Sequence, residues 1–439
     1  MQKPPKFEVP TSEQIAKYHS QPKLRAFSDD EYIHWDKLRY KAAGLGFSAE
    51  ALWNLIKLHR MSNGINTGLV DESGKPFYFV NTDKIQRLVH KIDKFSGGAI
   101  KAQSGLLTEK SKDEYLFKSL LEESISSSQL EGAVTTRKVA KDMILSERKP
   151  RDQGEKMIYN NYNAMSFLQG KIKDRLNEEF LFELHSIITI DTLESNHQIG
   201  GFRKESDNVC VVDKYGEIVH KPPKACLLGQ RLNELYQFAN SEELHSSFIH
   251  PVIKAIIIHF MLAYEHPFVD GNGRTARALY YWHVAKSGYW LMEFLPISRI
   301  IQHAPVQYGK AFLQTETDDN DLTYFIHYHL EVIDKALDDL FIYLKNQAAK
   351  LQNVDEFLKD SLLKKELNSR QISVLRHALE NQYMVYSPSI HKNHHCISIE
   401  TARKDFQKLV DLELFYRFKK SGAHLFVPRN NLHEFLIKM

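Results

Sequence analysis

Between residues 266 and 277 the chain reads HPFVDGNGRTAR, a run of side chains suited to handling phosphate. His266 has an ordinary imidazole pKa of about 6.5, so it is largely neutral at pH 7 and can take a proton. Asp270 is a hard oxygen ligand, the kind that holds Mg2+ carried by phosphates. Gly271 and Gly273 permit a sharp turn and a close backbone approach to a ligand. Asn272 is a good N-cap for a helix that begins there. The start of that helix offers free N–H groups and the positive dipole end, which together make an anion site. Arg274 and Arg277 are three apart and share one helix face above it. A base, a metal carboxylate, an anion nest and two guanidiniums describe group transfer from a phosphate donor.

Helices must position these groups. Val252 to Tyr264 is apolar almost all round, the pattern of a helix inside a core, and Pro267 cannot continue it, which leaves His266 at its mouth. The following helix runs from Arg274 through Leu279, Tyr280 and Trp282 and stops near Gly288. Upstream, Asp113 to Glu131 reads as a helix with one stripe of Leu116, Phe117, Leu120, Leu121 and Ser124 that continues through Ser127, Ser128 and Glu131. Gly132 ends it as a C′ glycine. A carboxylate on a core-facing stripe needs a cationic or hydrogen-bonding partner. Residues from Gly154 to Ile188 read as helical, with His185 as a core or capping residue. Asn208–Val212 and Glu217–His220 are β-like runs around a turn, Asp213-Lys214-Tyr215-Gly216. His303 to Phe312 and a stretch opened by Asp321-Leu322-Thr323 are further helices; His327 and His329 read as packing residues.

The motif is similar, at every fixed position, to the Fic (Fido) family signature His-x-Phe-x-Asp/Glu-Gly-Asn-Gly-Arg-x-x-Arg. The resemblance covers roughly residues 95–345. It implies transfer of AMP from ATP to a protein Ser, Thr or Tyr hydroxyl, with His266 as general base and Phe268 anchoring the loop. Asp270 would hold Mg2+, Asn272 with the Gly271 and Gly273 backbone the α-phosphate, Arg274 the β/γ-phosphates and Arg277 the γ-phosphate. The phosphate-transferring Doc branch has Ala-Asn-Lys where this chain has Gly271-Asn272-Gly273, which favours nucleotidyl transfer. Ser127, Glu131 and Gly132 resemble the Ser-x-x-x-Glu-Gly of family members with an inhibitory helix in the same chain, where the glutamate pairs with the second motif arginine, here Arg277. The β-like runs near residues 208–220 resemble a flap on which the target protein docks by strand addition. Tyr308 is placed near the nucleotide base or in the core, both readings being open.

The remaining segments set the context. The net charge of +3 does not by itself imply nucleic acid. Cys210, Cys226 and Cys396 are too few and scattered for a disulfide framework. The start, MQKPPKFEVP, has no apolar signal core and no run reaches membrane-spanning length, so the expectation is a soluble cytoplasmic protein with no membrane partner. Residues up to about Leu24 read as a flexible tail. Ser28 and Ser48 read as caps of two helices, Asp71–Pro76 as a turn and Phe77–Val80 as a strand. Lys345–Lys365 reads as a linking helix. Ser369 and Ser398 cap two later helices, and Leu414–Phe418 with His424–Val427 form a hairpin around Lys419-Lys420-Ser421-Gly422, an order that resembles a winged helix-turn-helix able to meet DNA through Arg403, Lys404, Lys408, Arg417, Lys419 and Lys420. His391, His394, His395 and Cys396 read as a loop cluster with no familiar zinc spacing.

The fold class expected is mainly α: a Fic helical core with a β-hairpin flap and a C-terminal winged helix-turn-helix. The segments expected are 1–94 as an N-terminal tail and helices, 95–345 as the Fic domain with its inhibitory helix, 346–366 as a linker and 367–439 as the winged-helix module. The function expected is an autoinhibited, Mg2+-dependent protein adenylyltransferase. The alternatives are a DNA-binding regulator whose Fic domain senses nucleotide, and a Fic enzyme that removes AMP. Homo-oligomerisation and the identity of the target stay open.

Overall fold

The structure is a computed structural model. It describes the chain apart from residues 22–23, 25–26, 28, 43–44, 96–108, 194–198, 214, 242–247, 361–365, 381–383, 396, 421–422 and 439. Ser28, Lys214, Cys396, Ser421 and Gly422, each with a role expected above, lie outside the described residues, as does the end of the expected linker helix. Helices make up most of the described chain, and the strands form three separate antiparallel pairs. The fold is mainly α. Two compact units divide it, Met1–Leu340 and Phe341–Met439.

In the first unit the centre is a helix, Pro251–Glu265, buried along every residue from Val252 to Leu262. A segment apolar on all sides needs neighbours on all sides. It packs against Asn272–Lys286, Leu228–Asn240 and other helices of the unit, and Asn272–Lys286 is itself buried over nearly its whole length. Gln153–Gly170 lies against both Glu109–Leu130 and Glu178–Thr189, and together they close the same core. The single helical stretch expected from Gly154 to Ile188 is two helices. Asn177 interrupts it, its Oδ1 accepting the Phe180 N–H at 2.8 Å as an N-cap. Likewise the stretch around His303 is two helices, Ile297–His303 and Pro305–Thr317, broken before Pro305.

The N-terminal segment is not a flexible tail. Thr11 and Gln14 form a reciprocal capping box that starts the helix Ser12–His19. Tyr18 and Leu24 are then buried against Trp35, Leu38, Leu52 and Trp53. Ser48 caps Ala49–Ser62 as expected, its Oγ accepting from Ala51 N at 3.1 Å. That helix carries Lys57 and Arg60 into a buried cluster. Lys57 Nζ bonds Asp318, Arg60 bonds Tyr324, and Tyr324 bonds Asp318. Removing one member of such a set costs about 3–5 kcal/mol. Pro76–Val80 is a strand, and its partner Gly64–Val70, rich in Gly, Asn and Thr, was not legible from propensity.

The second unit, described by itself, has helices Ser369–Glu380, Pro388–His395 and Ile399–Asp411, then a hairpin of Phe415–Lys420 and Ala423–Pro428, then Leu432–Lys438. Leu375, Ala378, Phe406, Leu409, Phe426 and Leu436 form its core. His391, His394 and His395 lie in a helix, not a loop. Among the described residues no group of three His, Cys, Asp or Glu side chains is arranged to hold a metal, and no helix is long and apolar enough to cross a membrane.

Candidate active site

The loop between the two central helices is held in a single shape. His266 closes the first helix in the left-handed region, φ 46° and ψ 55°. A non-glycine residue there is uncommon, and its presence at a site of candidate chemistry is a position where strain is held by surrounding bonds. Arg203 supplies them. Its Nε donates to the His266 carbonyl at 2.8 Å, its terminal nitrogen to the carbonyls of Pro223 and Glu265, and its own N–H to Pro267 O at 2.8 Å. A buried cation thus binds the negative end of the helix dipole. Phe268 is fully buried and stacks on His185, ring centroids 3.6 Å apart. Gly200 N donates to His185 Nδ1, so His185 Nε2–H donates to Asp270 O at 3.0 Å. Burial lowers this imidazole to about 4 and keeps it neutral.

One sequence expectation changes here. Asn272 is not the N-cap. Gly271 occupies that position with φ 84°, and Asn272 turns its amide back onto Phe268, accepting from Phe268 N at 2.9 Å and donating to Phe268 O at 2.8 Å. Gly271 is fixed by space as well as by φ, since a Cβ there would lie 2.8 Å from Thr189 Cγ2. The first N–H groups of the helix still point into the loop without intrahelical partners, as at any helix start.

His266 is partly buried beneath this loop. Its Nδ1 lies 3.2 Å from the Ala263 carbonyl, so Nδ1 carries the proton and Nε2 holds the lone pair. Burial lowers its pKa to about 4 against the opposing pull of the Ala263 carbonyl, and the imidazole is neutral at pH 7. Asp270 is half exposed on the rim, and its Oδ2 accepts from Arg274 at 3.1 Å. Arg274 is buried and also donates to Ile188 O at 3.1 Å.

Arg277 reaches across to the Glu109–Leu130 helix. Its Nε donates to Ser127 Oγ at 2.9 Å, and one terminal nitrogen donates to Ser127 O at 3.0 Å and to Glu131 Oε1 at 2.8 Å. The Arg277–Glu131 pair is a single contact, with Ser127 taking the rest of the fork. Glu131 sits one residue past the helix. Gly132, φ 95°, completes a Schellman end in which Ala133 N bonds Ser128 O and Gly132 N bonds Gln129 O. The Glu131 carboxylate lies over Gly273, since a Cβ built there would be 2.1 Å from Oε1. A carboxylate oxygen thus occupies the space directly above the helix N-terminus.

About two turns before Glu131 on the Glu109–Leu130 helix, Glu123 is buried and accepts from Ser298 N–H, Ser298 Oγ and Tyr281 OH, which fixes the helix against Ile297–His303. Burial raises its pKa despite these donors. Tyr308 directs its hydroxyl inward, 2.8 Å from His259 Nε2 and beside Arg277, and burial pushes it up to about 12. At the flap, the paired strands are Val211–Val212 and Ile218–His220, shorter than expected, and Asn208 ahead of them is left-handed at φ 48°. His220 bridges Glu316 Oε2 and Tyr264 O, both at 2.8 Å. Burial disfavours its charge, but Glu316 carries its pKa above the ordinary value. Val212, Tyr215 and Ile218 are exposed on the flap.

Residues 175–284 match the model of the Fic/DOC family. This segment is a Fic/DOC domain. Over 135 residues the chain is 36% identical to the protein adenylyltransferase Fic of Drosophila sechellia, and equally to that of Drosophila melanogaster, covering 30% of this chain and 23% of each relative. The chain thus spans about a quarter of the length of the curated relatives it matches. The crystal structure of a Fic family protein from Desulfovibrio desulfuricans G20 shares the fold, with a TM-score of 0.51 and 17% identity over 80% of this chain and 97% of that one. Arg203, His185 and the Ile188 carbonyl, which hold the Fic loop, carried no motif that spacing alone could flag.

Proposed function

We propose that this chain is an autoinhibited protein adenylyltransferase, transferring AMP from ATP to a protein hydroxyl. The observation that carries the reading is the loop that brings a neutral imidazole, a rim carboxylate, a glycine-lined helix start and two buried arginines to one place. In the reaction the hydroxyl oxygen bonds to the α-phosphorus, the bond from that phosphorus to the bridging oxygen breaks, and pyrophosphate leaves. His266 Nε2 takes the hydroxyl proton. Bound polyphosphate, by its negative charge, raises the His266 pKa from its buried value and strengthens it as a base. The free N–H groups at Gly273 and beyond stabilise the charged phosphate.

Asp270 fits Mg2+, being a single exposed carboxylate beside a phosphate site, and such an ion would neutralise charge on the phosphates. Arg277 takes the γ-phosphate when Glu131 leaves it. The flap strand edge presents the target backbone, with the exposed Val212 and Ile218 beside it. Glu131 competes with the nucleotide because its carboxylate stands where a phosphate oxygen would meet Gly273 and Arg277. Intact-protein mass measurement of Glu131→Gly with ATP and Mg2+ tests the reading. Addition of an AMP unit to the chain or an added protein supports it; addition of a phosphate alone overturns it.

A further inference from the structure

We propose that the Phe341–Met439 unit binds duplex DNA through one face shared by the Ile399–Asp411 helix and the hairpin that follows it. The charge of the chain is unevenly placed. Residues 341–439 hold sixteen Lys and Arg against ten Asp and Glu, although the whole chain holds 58 against 55. One of those ten acids, Asp405, is buried and bound by Arg370, Asn368 and His391, so it offers no repulsion at the surface. Its bonds reach residues on both preceding helical segments, and they lock the Ile399–Asp411 helix to its neighbours.

That helix is built to present its outer side. Ser398 caps it, Ala402, Phe406 and Leu409 face the core, and Arg403 and Lys404 are exposed on the opposite side. At 13 residues it is about 20 Å long, and a helix of that size enters a major groove. It follows the Pro388–His395 helix with three residues between them, the order in which the later helix lies in the groove while the earlier one crosses the backbone. The hairpin adds cations to the same face. Arg417 is exposed and donates to Gln407 Oε1 of the helix at 3.2 Å, so strand and helix present their polar groups together. Lys419 is exposed on the same strand face, two residues on. Arg403, Lys404, Arg417 and Lys419 can each neutralise a phosphate, and Gln407 can pair with an adenine edge.

DNA binding by this unit is separate from the transfer chemistry, which stays measurable in the same protein. The full chain is titrated against a fluorescent mixed-sequence duplex at salt from about 50 to 200 mM. With about four phosphate contacts, log affinity falls against log salt with a slope of about −3.6, a loss of roughly 150-fold over that range. Arg403→Ala/Lys404→Ala/Arg417→Ala removes about three contacts, weakens binding more than 10-fold at low salt and flattens the slope by about 2.7. Thermal melting checks that the variant keeps its fold. Absence of binding at about 50 mM salt, an unchanged slope in the folded triple variant, or tighter binding of single-stranded RNA than of the duplex would overturn the proposal.

Discussion

Replacing Glu131 by glycine removes the carboxylate that contacts Arg277 from the end of the Glu109–Leu130 helix. Arg277 keeps its two bonds to Ser127, so the guanidinium stays oriented and the loss is confined to one contact of 2.8 Å. A hydrogen bond between charged groups is worth about 1.5–3 kcal/mol, and partial exposure of the Glu131 side chain, 29%, draws it toward the lower part of that range. Freed of a competitor worth about 1.5–2.5 kcal/mol, productive ATP binding rises roughly 10- to 70-fold. The space above Gly273 opens at the same time. Initial rates of AMP incorporation at ATP below saturation read this directly. Glu131→Gln, which keeps the bulk and removes the charge, gives a smaller rise, and AMP, which lacks the γ-phosphate, gains less affinity than ATP. Equal rates for wild type and Glu131→Gly, with both proteins folded, would refute the competition. A rise in AMP affinity as large as that in ATP affinity would show that Arg277 does not meet the γ-phosphate.

Other consequences are independent of that one. His266→Ala in the Glu131→Gly background loses at least about 100-fold in rate with little change in ATP affinity, read from initial rates and nucleotide titration. Asp270→Asn weakens the Mg2+ dependence of the rate, measured by titrating the metal. Gly271→Ala forces a side chain into φ 84° and against Thr189, so the melting temperature falls and transfer is lost. The depressed histidines set an acid limit. His34, His185 and His266 are lowered to about 4, and His283, His327 and His329 to about 3, by burial. Below pH 6.5 the unfolded chain binds protons that the folded chain refuses, so stability falls as pH drops from about 6.5 toward 4, each group contributing a slope of up to about 1.4 kcal/mol per pH unit. Melting curves across that range check the sign; a constant melting temperature would contradict it.

What could be read without coordinates was what lay close together in the chain. The residues from 266 to 277 announce their chemistry because base, carboxylate, glycines and arginines are contiguous. The helix before them is legible because it is apolar on every side. Arg277 and Glu131 are 146 residues apart. Their pairing was accessible only because Ser127 and Glu131 continue an apolar stripe and resemble a known inhibitory segment. Asn272 misled because its type favours capping, whereas a left-handed Gly271 took the cap and freed the amide to close the loop. Thr11 and Gln14 held a readable capping box that the nearby prolines obscured. Arg203 and Glu123 gave no local sign. Each is one charged residue whose role depends on carbonyls or N–H groups from distant segments.

The most direct measurement is transfer from ATP labelled at either the α- or the γ-phosphate, compared for the wild type, Glu131→Gly and Glu131→Gly/His266→Ala. Label from the α-phosphate alone, strong only in the Glu131 single variant and lost in the double variant, is the result this account predicts. Label from the γ-phosphate, or α-label that survives loss of His266, would contradict it.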